Sequence, residues 1–125
     1  MPHYRTLFAY TPEAWHALAQ EPVDRSAPIG ALAQQLGARL VSLYYMWGAW
    51  DGAVVVEAPD DATASAFVIA AFGVGHLRAT STTRLFTAAE MVAILRQAGG
   101  VRLQPPPTPS PRDYPWEALP LTTEE

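Results

Sequence analysis

Tyr44, Asp51, His3 and Arg84 are the side chains whose types suit chemistry best. A tyrosine and a histidine can move protons, an aspartate can accept one, and an arginine can hold an anion. Tyr44, Tyr45, Trp50 and Asp51 all fall in one stretch, "YYMWGAWDGAVVV" (44–56). In a working site Asp51 and Trp50 stand at the mouth of a cleft. Tyr44 and His3 then transfer protons, Arg84 holds the anion, and Tyr45 and Trp50 line the ligand. The plainer reading makes the stretch a hairpin. There Asp51 accepts backbone amides to fix the turn, while Trp47 and Trp50 cover the end of the core. The plainer reading is preferred.

Other candidates are weighed in the same way. Arg78, Thr80, Thr82 and Arg84 alternate along one strand and so share a face. With Tyr44 or Tyr45 they could line a small anionic-ligand pocket; otherwise they are the charged guard of an edge strand. Glu57 is the acid inside a strand run. Buried, it becomes a general base with a raised pKa; beside "PDD" a solvated acid is the simpler expectation. His3, His16 and His76 have no second ligand at i+2 or i+4, so no metal site is read. A pairing of His3 with His76 across neighbouring strands is the one arrangement left open. Gly73-Val74-Gly75 follows a helix and precedes a strand, the reverse of a dinucleotide loop. No nucleophile elbow or phosphate loop occurs, and no cofactor is implied.

Composition narrows the classes. The 125 residues make about one domain. Net charge is −4 with no basic cluster, which argues against a nucleic-acid partner. Cysteine is absent, so disulfides and thiolate metal sites are excluded. No apolar run reaches the ~18 residues of a membrane span, and "MPHYRTLFAY" lacks the marks of a signal peptide. A cytoplasmic location is the expectation. Half of the residues are hydrophobic and only 16% charged, so part of the apolar surface should be hidden by a partner or by the chain itself.

These side chains need elements to position them. Strands are expected at 3–10, 39–47, 53–58 and 76–86. Thr11 and Pro12 open a helix that Pro22 breaks. Asp24 or Ser26 caps a second piece, which Gly37 ends. Asp60 caps a helix running to about Phe72. Thr87 and Glu90 form a capping box for the last helix, stopped by Gly99-Gly100. Asp51-Gly52 is read as the turn between the second and third strands, glycine supplying positive φ. The order β-α-β-β-α-β plus a terminal helix predicts an α+β, ferredoxin-like domain with an antiparallel sheet over 1–103. "LVSLYYMW" and "AVVVEA" are apolar on both faces, and helices cover only one. A second sheet packed on the other face predicts a homodimer whose sheets form a shared α/β barrel.

Thr11-Pro12-Glu13, Leu36-Gly37, Gly48-Ala49-Trp50-Asp51-Gly52, Glu57-Ala58-Pro59-Asp60-Asp61 and Arg84-Leu85-Phe86-Thr87 follow one another in that order over about 3–98. By these motifs the chain resembles the small bacterial GYD-domain proteins of the dimeric α/β-barrel superfamily. Trp50 stands where the namesake tyrosine would be. The fourth strand is one residue longer than the usual pattern and lacks its glutamate. The resemblance implies the fold and the dimer. Superfamily relatives include cofactor-free monooxygenases, muconolactone-type isomerases and dye-decolourising haem enzymes, so the fold does not select a chemistry.

The segment 104–125 holds seven of the twelve prolines and is read as a tail. The helix over 62–72 is apolar almost all round, and Tyr114, Trp116 and Leu119 are expected to cover it or the partner subunit. The expected function is a small homodimeric protein, structural or small-molecule-binding, with no demonstrated catalysis. The alternative is a cofactor-independent isomerase or monooxygenase acting on a small aromatic or lactone-like compound in the barrel cleft.

Overall fold

Local signals place most of the elements. The strand β1 (His3–Tyr10) ends at Thr11, whose Oγ1 accepts the Ala14 amide at 3.1 Å and starts α1 (Pro12–Gln20). Asp24 Oδ1 accepts the Ser26 amide at 2.9 Å just before α2 (Ser26–Gln35). Gly37, at φ 79°, takes the left-handed conformation that ends α2. The strands β2 (Arg39–Tyr45) and β3 (Gly52–Glu57) follow. Asp60 Oδ1 accepts the Thr63 amide at 2.8 Å and caps α3 (Asp61–Gly73). After β4 (Leu77–Leu85), Thr87 and Glu90 exchange amide bonds at 2.7 and 3.0 Å at the start of α4 (Ala88–Gly99).

The computed structural model describes residues 1–107. They fall into two units, Met1–Glu90 and a second that begins at Met91. In the second, the amides of Gly100 and Val101 bond the carbonyls of Gln97 and Ala98 at 3.2 and 3.3 Å, and α4 ends there. The expected packing of Tyr114, Trp116 and Leu119 lies outside the described residues.

The first unit is an α+β layer built on a four-stranded antiparallel sheet of order β2-β3-β1-β4. Tyr4, Thr6 and Phe8 of β1 lie level with Val56, Val54 and Gly52 of β3, and with Arg84, Thr82 and Thr80 of β4. This face carries the core, where Tyr4, Phe8, Tyr10, Val54 and Val56 join Ala33 of α2 and Ala64 and Phe67 of α3. The other face carries Leu7, Val55 and Leu85, each only partly buried.

Four expectations need correction. The sheet order puts β2 and β4 on opposite edges, with β3 and β1 between them, so Tyr44 and Tyr45 cannot share a pocket wall with Arg84. Register shifts between Ala9 and Tyr10, so Leu77 rather than Arg78 stands opposite Tyr10 and Arg78 drops out of the expected polar row. His3 lies opposite Leu85, at the far end of β4 from His76. Antiparallel pairing therefore separates the two histidines. Finally, Gly48 is the turn residue at positive φ (106°), while Gly52 is already inside β3. Gly52 is needed for another reason: a Cβ there would lie 2.3 Å from Cζ of Phe8, whose ring packs on the bare backbone.

Candidate functional site

The aromatic residues at the end of β1 form one wall. The Tyr10 ring meets Trp15 of α1 edge-on at 5.1 Å and Phe8 at 5.3 Å, and Tyr45 of β2 lies 6.0–6.3 Å from Phe8, Tyr10 and Trp15. Such pairs favour edge-to-face geometry, which fixes the rings without a rigid backbone link. The Tyr10 and Tyr45 hydroxyls are 3.2 Å apart. Asp51 locks the wall from behind. Its Oδ2 accepts the Tyr10 amide at 2.8 Å and the Trp15 indole N–H at 3.2 Å, and its own amide donates to the Phe8 carbonyl at 2.8 Å.

In front of this wall, between the core face of the sheet and helices α2 and α3, lies a pocket of about 290 Å³. Val54, Phe67, Val68, Leu77, Ile29 and Leu32 give it apolar sides. Short side chains are among its walls: Ala70 and Ala71 of α3 and Thr80 of β4 line it. The polar groups are few. Thr6 is buried, and its hydroxyl pairs with Thr82 at 2.8 Å. Arg25, just before α2, and His76, just before β4, also line the space. No aspartate or glutamate is among the lining residues.

Burial pushes the Tyr10 hydroxyl well above the ordinary tyrosine range, and the bond to Tyr45 adds to this; the Arg25 charge pulls weakly the other way. Tyr10 is thus a neutral hydroxyl at any physiological pH. An apolar chamber with a neutral hydroxyl, an arginine and a histidine can hold a small molecule and orient its polar end.

The sequence candidates are dispersed. Tyr44 is 71% exposed, on the sheet face away from the pocket. Asp51 serves the aromatic wall. His3 lies 3.5 Å from Glu57, which also accepts a bond from Arg39 Nε at 2.8 Å. That bond holds the Glu57 carboxyl below its usual range, with His3 helping, so Glu57 is no raised-pKa base. Arg84 stacks 4.8 Å over Phe86 and sits 3.5 Å from Glu90. Trp50 is half-buried. Trp47, expected to cover the core end, is 98% exposed, and Trp15 and Tyr45 stand in the aromatic wall instead. Tyr44, Asp51, His3 and Arg84 do not meet. Tyr45 joins the aromatic wall but does not line the pocket. Sequence reasoning passed over Tyr10, Arg25 and Thr6 as site residues. The available signal was the alanine-rich α3, "ATASAFVIAAF", whose short side chains leave room above a sheet.

Comparison with known proteins adds the following. A family model described as GYD domain matches residues 4–95. No curated protein matches the chain. Among solved structures, TTHA0845 from Thermus thermophilus aligns at 17% identity with a TM-score of 0.48, over 70% of this chain and 96% of its own. MtbAldR aligns at 17% identity with a TM-score of 0.50, over 69% of this chain and 53% of its own length. At this identity such likeness concerns the fold alone. Among the described residues, no helix is long and apolar enough to cross a membrane.

Proposed function

This chain belongs to the GYD-domain family, and on that premise we propose that it is a homodimeric protein that binds a small, largely apolar molecule between its sheet and helices α2 and α3. The observation that carries the reading is the pocket of about 290 Å³ with apolar sides and a few convergent polar groups. Small-molecule sites generally have this make-up. The strand order β2-β3-β1-β4 supports the ferredoxin-like reading. The partly buried Leu7, Val55 and Leu85 on the sheet's second face support a second copy of the chain there.

The test is an NMR titration of the protein with a panel of single-ring compounds. Saturable shifts at Val54, Phe67 and Leu77 are expected at millimolar concentrations, and Ala71→Phe, which fills the space, should remove them. A panel that leaves those signals unmoved sinks the reading.

A cofactor-independent isomerase or monooxygenase is the second reading, favoured by Tyr10 and His76 lining the same space. In that case the neutral Tyr10 hydroxyl donates a hydrogen bond and His76 moves the proton. Turnover that survives in Tyr10→Phe and His76→Ala would exclude these roles.

A further inference from the structure

We propose that the ligand of this pocket is a small monocarboxylic acid with a single-ring or short-chain apolar body, its carboxylate held by Arg25 and its body lying among Val54, Phe67 and Leu77. The inference rests on the reading of the pocket as a ligand site and deepens it.

Charge decides the class. Arg25 is the residue with a permanent charge among those lining the space, and no acidic residue opposes it there. Among the described residues, no carboxylate oxygen lies within 4.0 Å of its guanidinium. Two carboxylates of the same region are engaged elsewhere. Asp24, its chain neighbour, accepts the Ser26 amide. Asp51, behind the aromatic wall, accepts the Tyr10 amide and the Trp15 indole. Arg25, half-buried and lining an apolar space, therefore has no carboxylate partner among the described residues. A bound carboxylate supplies one, through a paired and charge-assisted geometry.

The remaining groups agree. The Tyr10 hydroxyl stays protonated, so it adds a neutral dipole rather than a repelling charge beside the carboxylate. His76 at the same lining adds a donor or a cation, never an anion. Size sets the body. About 290 Å³ falls at the lower limit of ligand pockets, roughly 300 Å³, and a single ring or a short chain fills it. One arginine matches one carboxylate. A phosphate ester or dicarboxylate would bring a second charge for which the lining holds no second permanent cation.

The experiment compares phenylacetate with 2-phenylethanol, its uncharged counterpart, by calorimetric or NMR titration of the full chain at neutral pH. Phenylacetate should bind about tenfold tighter or better, as a charge-assisted bond implies. Arg25→Gln should erase that difference while leaving 2-phenylethanol unchanged, and Arg25→Lys should restore part of it. Unchanged amide spectra of the variants show that the fold is kept. If both compounds bind equally, or if Arg25→Gln keeps the preference, the acid assignment is overturned and the pocket reading stands. If neither compound shifts Val54, Phe67 or Leu77, both are overturned.

Discussion

The carboxylate of Asp51 reaches the backbone amide of Tyr10 across 41 positions of chain, Oδ2 to N at 2.8 Å. One side chain from the hairpin thereby fixes the end of β1, and through the Trp15 indole it also fixes α1. A turn-forming aspartate would serve amides of its own loop; this one serves a neighbouring strand. Asp51→Ala leaves the Tyr10 amide without its partner, which should cost about 1–3 kcal/mol in urea unfolding. Asp51→Asn keeps an acceptor and should cost less. Unchanged stability combined with lost ligand binding would move Asp51 from the scaffold into the site.

Gly52 yields a steric prediction. Its φ is not positive, so alanine meets no backbone penalty there. The added methyl would lie 2.3–2.9 Å from three atoms of the Phe8 ring. Gly52→Ala should therefore destabilise by about 1–3 kcal/mol, as over-packing does. Adding Phe8→Leu should recover part of the loss, so the two substitutions will not add. Additive effects in thermal unfolding would remove Phe8 as the reason for the glycine.

The elements were legible in the sequence because their signals are local. Thr11, Asp60 and the Thr87–Glu90 pair each act within three residues, and the caps form as read. The pocket was not legible, because five elements supply its walls and its lining residues are scattered along the chain from Thr6 to Thr80. Arg25 carried no local mark at all. Tyr44, Asp51 and Trp50 looked like a site because aromatics and an acid cluster in sequence. Strand alternation then sends Tyr44 to one face and Tyr45 to the other, and only Tyr45 reaches the wall of Tyr10.

The pH dependence of stability should fall off on both sides. Glu57, held low by Arg39, and Glu90, held low by the Thr87 amide, have ordinary values of 4.5. A depressed folded pKa gives stability that is present above the ordinary value and is lost as pH falls below it. The melting temperature should therefore drop below pH 4.5. Tyr4, raised by its bond to Asp61, and Tyr10, raised by burial, act in the opposite sense from an ordinary 10.0. Their contribution is present below pH 10.0 and is lost as pH rises past it. Tyr10→Phe should flatten the alkaline limb and spare the acid one, and Glu57→Gln should do the reverse. An alkaline limb indifferent to Tyr10→Phe would contradict the burial argument.

The dimer is tested on the sheet's second face. Leu7, Val55 and Leu85 share that face, staggered along three strands, and Tyr44 stands 71% exposed at the β2 edge. Burying a large apolar side chain contributes roughly 1.5–3 kcal/mol, so a second copy covering this face gains from several at once. Sedimentation at micromolar concentration should then give twice the 13.6 kDa chain mass. Val55→Arg would place a second cation beside Arg5, its partner across the strands, in such an interface and should yield a folded monomer, since Val55 faces away from the core. The pocket lies on the opposite face, so the monomer should still bind phenylacetate. A wild-type protein that sediments as a stable monomer would leave this face exposed without a partner, and the shared-barrel proposal would fall.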